Sequence, residues 1–344
     1  MMNELMSTRE NNSLTVGGDL AAAGAVASHV ATGHVFDDYL SRKAGNTLIA
    51  QQRDLRVFCE FLGHVGVARD AGNLQTDASG WTGITWGLVE SFVKWMLQGG
   101  YSVSSVNRGL ATIKMYAGLA RRAGAVSYDE YLRIKDVSGY GSSEAKRVDA
   151  KRPTTRRSNK KVEPVHITED QAEQLRDQPD TPQGRRDRLL MCLLLDHGLR
   201  AGEVSALTVG CMDVASGIMR FNRPKVDKIQ NHELSAATLR ALRSYIDNGD
   251  CPTDSNAPLL RGSRKGGQLD QPGMNEIAVT VRVGVLARQI GIDGMSAHDC
   301  RHYWATRWAG RVDVFRLRDA GGWASLAMPN KYVARGEIAN RGMV

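Results

Sequence analysis

Nowhere does the sequence hold an uninterrupted apolar run long enough to span a bilayer, which argues against a membrane protein. It also lacks a basic N-terminal segment followed by an apolar core. Glu4 and Glu10 stand near the start, and the Ala- and Gly-rich stretch from Leu20 to Val30 does not read as a signal peptide, so a cytoplasmic protein is expected. Cysteine is sparse. Cys59, Cys192, Cys211, Cys251 and Cys300 are scattered, odd in number and never spaced CxxC, which argues against a disulfide framework and a zinc knuckle alike. No internal repeat is evident.

What is present suits a soluble chain with two cores. A hydrophobic fraction of 42% and a charged fraction of 24% are ordinary for globular proteins, and 344 residues exceed what one core usually organises. The net charge of +8 fits a polyanionic partner, and its distribution is more telling than its total. Between Gly141 and Val162 eight Lys or Arg face two acids, namely Lys146, Arg147, Lys151, Arg152, Arg156, Arg157, Lys160 and Lys161. Like charges this dense repel unless counterions or DNA neutralise them, so these residues are candidate phosphate contacts, against the plainer reading of a solvated hinge.

Four segments follow from composition and period. Residues 1–34 are small, polar and aperiodic and read as a flexible arm. Residues 35–138 carry helical patterns. Leu48, Leu55, Phe58 and Leu62 recur after Asn46 or Thr47 as caps, Trp86, Val89, Val93 and Leu97 end at Gly99-Gly100, and Val106 to Leu119 follow Ser102 or Ser104. Residues 139–164 have a linker's composition. Residues 165–344 open at Thr168 with Gln171 at capping-box spacing, and a helix through Leu189–Leu195 stops at Gly198. Short strands at Met212–Val214, Ile218–Phe221 and His232–Leu234 then precede helices at about 236–247, 273–290, 298–309 and 312–320. The fold class is mainly α with a small antiparallel β-sheet.

Four segments carry chemistry. In Gly198-Leu199-Arg200-Ala201-Gly202-Glu203 an arginine follows a helix stop, although a surface Arg200–Glu203 pair is the bland alternative. In His298-Asp299-Cys300-Arg301-His302 the helical period puts His298, Arg301 and His302 on one face. Two histidines four apart suggest a metal, yet the glutamate of HExxH is missing, and His302 also suits a core position. The hairpin Arg220–Ser235 holds Lys225 and Lys228, and Trp323 and Tyr332 lie nine residues apart near the C-terminus.

Together these segments resemble the tyrosine recombinase (phage integrase) family, whose catalytic domain runs Arg, Lys, His-x-x-Arg, His or Trp, and Tyr. Arg200 sits in its G-L-R-x-x-E box. His298 and Arg301 sit in its H-D-L-R-H box with Cys300 in the Leu place, and Trp323 and Tyr332 keep its final spacing. Counting back from Leu234, in a strand similar to the family's V-P-L strand, favours Lys225 over Lys228. Departures are Asn222-Arg223-Pro224 before the lysine and the stretch Ala324–Asn330.

The resemblance implies a two-domain DNA clamp, a helical core-binding domain plus an α+β catalytic domain. It implies cleavage and rejoining of double-stranded DNA through a 3′-phosphotyrosyl intermediate, with no metal, ATP or other cofactor. Arg200 and Arg301 would hold the scissile phosphate through charged planar forks, and His298 would donate to it or accept the nucleophile's proton. Tyr332 would be the nucleophile once neighbouring cations lower its pKa or a base takes its proton, Lys225 the general acid, and Trp323 a packing group. Lys228 joins the DNA-contact candidates. The family's partners are further expectations: a homotetramer on synapsed DNA, accessory DNA-bending proteins, and residence on the nucleoid when bound. The competing expectations are a type IB-like topoisomerase and a catalytically decayed DNA-binding regulator.

Overall fold

A computed structural model describes residues 19–151, 164–223, 226, 228–264 and 266–332. The chain divides into two compact units, Met1–Lys160 and Lys161–Val344. Among the described residues no helix is long and apolar enough to cross a membrane.

The first unit is helical, with α1 Leu20–Gly33, α2 Val35–Ser41, α3 Gly45–His64, α4 Ala71–Thr76, α5 Trp86–Gln98, α6 Val103–Arg122, α7 Tyr128–Asp136 and α8 Ser142–Lys151. The apolar period closes its core. Leu55, Phe58 and Leu62 of α3 and Val106, Ile113, Tyr116 and Ala120 of α6 are buried around Trp81. That indole stacks between Phe58 and Tyr116 at centroid distances of 6.3 and 6.2 Å, and its Nε1 donates to the Leu74 carbonyl at 2.8 Å. Ser102 caps α6 as expected, accepting from the Ser105 amide. Neither Asn46 nor Thr47 caps α3. Its first residue is Gly45 and Ala44 stands at the cap without a side-chain bond.

Two stretches expected to be irregular chain contain helices. Residues 20–33 of the presumed flexible arm form α1, whose Ala-rich composition favours a helix and whose first turn Asp19 caps, although none of its residues is buried. Residues 142–151 of the presumed linker form α8, started by a Gly141 amide bond to Glu144 at 2.8 Å. Lys146, Arg147 and Lys151 lie on this helix, whereas Arg152, Arg156, Arg157, Lys160 and Lys161 fall outside the described residues.

The second unit comprises α9 Glu169–Arg176, α10 Pro182–His197, α11 Ala201–Ser205, β1 Met212–Asp213, β2 Ile218–Arg223, β3 Lys228–Glu233, α12 Ala236–Asp247, β4 Arg261–Ser263, β5 Leu269–Gly273, α13 Glu276–Gln289, α14 Ala297–Trp308 and α15 Val314–Gly321. The Thr168–Gln171 capping box forms at the start of α9. Strands β1, β2 and β3 make an antiparallel sheet in that order, with Arg223 opposite Lys228 and Phe221 opposite Gln230. A second antiparallel pair, β4 with β5, was not foreseen.

Helix α10 is the centre of this core, with Leu189 to Leu195 buried on every side. Its buried charges are matched. Asp187, wholly inaccessible, accepts from Arg186 Nη2 at 2.7 Å and from Arg282 Nη2 at 2.5 Å, which ties α10 to α13. Removing one member of a buried ion pair leaves an uncompensated charge, a loss of about 3–5 kcal/mol. Urea unfolding of Asp187→Ala should therefore show a fall of about that size, and a fall below about 1 kcal/mol would contradict this account of α10.

Candidate active site

The site grows from two helix ends and one helix start. Gly198 stops α10 at φ +61°, and a Cβ there would lie 2.4 Å from the Trp304 ring, so only glycine lets the chain turn here. The turn delivers Arg200 to the cap of α11. Its amide donates to Glu203 Oε2 at 2.9 Å and its Nη1 to Oε1 at 2.5 Å. The bland Arg200–Glu203 pair thus exists, but Glu203 is only 6% exposed and is no solvated surface partner.

Ser296 and Asp299 form a capping box that fixes the start of α14, and the Asp299 carboxylate also accepts the Val165 amide. From that start His298, Arg301 and His302 share a face. Arg301 is 2% exposed and donates to the carbonyls of Gly198, at 2.6 Å, and of Gly321. Its guanidinium lies 4.7 Å from the centroid of Trp323.

Helix α15 ends at Gly322 in the left-handed region, φ +57°, where a Cβ would meet Arg223 Cδ at 2.5 Å. Trp323 follows, and a 3-10 turn over Pro329–Lys331 returns Tyr332 to it, rings 5.8 Å apart and nearly parallel. The His302 ring meets the same phenol edge-on at 5.2 Å and in turn packs edge-on against the His298 ring at 4.7 Å. Arg200 Nη2 reaches the Gly322 carbonyl at 3.5 Å. Arg200, His298, Arg301, Trp323 and Tyr332 therefore converge. Lys225 lies outside the described residues, and Lys228 is an exposed residue at the start of β3.

One residue enters the site unannounced. Arg223 is wholly buried, donating to the carbonyls of Gly321 at 2.7 Å and Ala320 at 2.8 Å and lying 3.5 Å from Glu203 Oε1. The signal was the strand period, because β2 turns Met219, Phe221 and Arg223 inward, and an arginine on the buried face of a strand needs an acceptor set. His302, expected on the face with His298 and Arg301 or else in the core, is partly buried and lies against Tyr332.

Three guanidinium groups, Arg200, Arg223 and Arg301, thus surround one carboxylate, Glu203, and the excess of positive charge is strong. Burial pulls Arg301 down to about 9, with repulsion from Arg200 adding to it, and pulls Arg223 down to about 10. Both stay cationic at neutral pH. Burial, then repulsion from His302 and Arg301, holds His298 below its ordinary value and therefore neutral at pH 7. Tyr332 moves the other way: burial raises its phenol, and the opposing pull of Arg301 and Arg200 is smaller. Among the described residues no group of three or more His, Cys, Asp or Glu could hold a metal.

Residues 166–337 match the model of the phage integrase family. A tyrosine recombinase XerC of Herpetosiphon aurantiacus is 26% identical over 297 residues, covering 84% of each chain. One of Pelobacter propionicus is 27% identical over 296 residues, covering 83% of this chain and 84% of its own. Among solved structures, the Tn1549 transposon integrase in complex with transposon right end DNA aligns with a TM-score of 0.61 at 14% identity, over 91% of this chain and 98% of that one. A lambda integrase dimer bound to a COC′ core site aligns with a TM-score of 0.57 at 12% identity, over 98% and 87%.

The resting state of the phenol is directly measurable. Alkaline spectrophotometric titration of the DNA-free protein, taken as wild type minus Tyr332→Phe, should place this group above 10. A midpoint below 10 would mean that the arginines outweigh burial.

Proposed function

Because the chain belongs to the phage integrase family, the tyrosine recombinases, we propose that it is a site-specific recombinase that breaks and rejoins double-stranded DNA with Tyr332 as nucleophile. The observation that carries this reading is the convergence of Arg200, His298, Arg301, Trp323 and Tyr332 around one cationic site.

In this mechanism the scissile phosphate binds at the arginines, whose outward donors stabilise the charge that grows on its non-bridging oxygens. Arg301 is held by the carbonyls of Gly198 and Gly321, so it needs no reorganisation when that charge develops. The phenol oxygen attacks phosphorus while its proton passes to neutral His298. The bond to the 5′ oxygen breaks, and Lys225 protonates the leaving oxygen. The product is a 3′-phosphotyrosyl ester and a free 5′ hydroxyl. Attack by a second 5′ hydroxyl reverses the step, and since one phosphate ester replaces another, no ATP is consumed.

Lys146, Arg147 and Lys151 on α8 of the helical first unit would contact DNA phosphates, as would Arg152, Arg156, Arg157, Lys160 and Lys161 further along the sequence and Lys228 at the start of β3. A homotetramer on synapsed DNA, accessory DNA-bending proteins and residence in the cytoplasm on the nucleoid complete the proposal.

A nicked duplex carrying the target site, from which the cut segment diffuses away, should trap a covalent protein–DNA adduct. Tyr332→Phe should yield none, and Arg301→Ala should lower the rate of adduct formation by about 10²–10³. An adduct that persists in Tyr332→Phe would remove the assignment of the nucleophile. Recombinants between two cognate sites are expected, whereas relaxation of any supercoiled plasmid without them would indicate a topoisomerase.

A further inference from the structure

Arg108 lies far along the sequence from the catalytic residues, on α6 of the first unit, and its side chain is 60% exposed. Its partner is not. Asp54 of α3 is 5% exposed by side chain, and its carboxylate accepts from Arg108 Nε at 3.0 and 3.1 Å, from Nη2 at 2.7 Å and from Thr112 Oγ1 at 3.0 Å. Burying a carboxylate is costly, and an ion pair whose cation stands mostly in water returns little stability for it. What the arrangement secures is orientation. The Nε–Nη2 edge of the guanidinium is pinned to Asp54, which leaves Nη1 and the second Nη2 hydrogen as donors held in a fixed fork.

The neighbours on that ridge of α6 are small. Ser104 and Ala111, one turn to either side, are exposed and leave room for a groove to approach. A phosphate does not require a fixed fork, because a lysine serves it as a point charge. The O6 and N7 edge of guanine does, since two parallel hydrogen bonds must be met together. Pre-organising the donor also removes the side-chain entropy otherwise lost on binding.

We propose that Arg108, buttressed by Asp54 and Thr112, reads a guanine in the major groove of the target DNA and so helps determine which sequence this recombinase recognises. The assignment rests on the DNA-binding reading above.

In vitro selection by the full chain from duplexes with randomised positions tests it. Wild type should select a site. Arg108→Ala should lose the preference for G·C at one base pair of each half-site, bind the selected site about 5- to 150-fold more weakly, and keep its preferences elsewhere. Arg108→Lys keeps the charge without the fork and should lose the same guanine preference while retaining affinity for random duplex. Thermal unfolding of both variants separates this from misfolding, because a folded Arg108→Lys protein still reports base preference. A uniform loss across all sequences with a salt dependence shallower by about one contact would make Arg108 a phosphate ligand and overturn the proposal. Guanine preference surviving in both variants overturns it too, and then only the assignment of Arg108 falls. Failure of wild type to select any sequence would instead remove the site-specific reading, and this assignment with it.

Discussion

Sharing of acceptors among three arginines is the constraint on which the catalytic unit depends. Glu203 serves both Arg200 and Arg223, and the Gly321 carbonyl serves both Arg223 and Arg301. These two acceptors sit at the ends of different helices, so the arginines fix how α11, α15 and strand β2 meet as much as the helices fix the arginines. One carboxylate against three guanidinium groups leaves the cluster under-neutralised by design. In an aqueous surface site such an excess would cost little and do little. Here burial of Arg223 and Arg301 makes the charge expensive to hold.

The two aromatic neighbours of Tyr332 act in the opposite sense. Trp323 and His302 bury the phenol enough that its proton is retained, although two arginines stand close by. Proximity of cations alone therefore does not lower the Tyr332 phenol below its ordinary value. Neighbouring cations were one of two routes to activation expected from the sequence, a base being the other, and the desolvation that opposes the first is supplied only by the packed structure.

Legibility divides along the same physical line. Order and spacing along the chain singled out Arg200, His298, Arg301, Trp323 and Tyr332, which the fold brings together. Local signals sufficed for the Thr168 capping box and the stop at Gly198, both of which depend on backbone hydrogen bonds within a few residues. Arg223 escaped because its acceptors are about a hundred residues away. Helices α1 and α8 escaped because scarcity of apolar surface was weighed and helix propensity was not. Strands β4 and β5 escaped because the pairing that stabilises them is made only in the folded unit. The pair Asp54–Arg108 was invisible for a similar reason: the two residues are neighbours only once α3 and α6 pack.

Gly198 and Gly322 bear on how such a protein decays through descent. Each stands in a left-handed turn whose missing Cβ is filled by another residue of the site, Trp304 at the first and Arg223 at the second. A lineage released from selection on strand exchange would accumulate changes at these two positions as freely as at the nucleophile, and any side chain there would displace an arginine or its acceptor. A copy that keeps its tyrosine, histidine and arginines but has lost either glycine would have lost this arrangement of them. Intact arginines, histidine and tyrosine are therefore no sufficient mark of an intact site, and the two glycines are a further one.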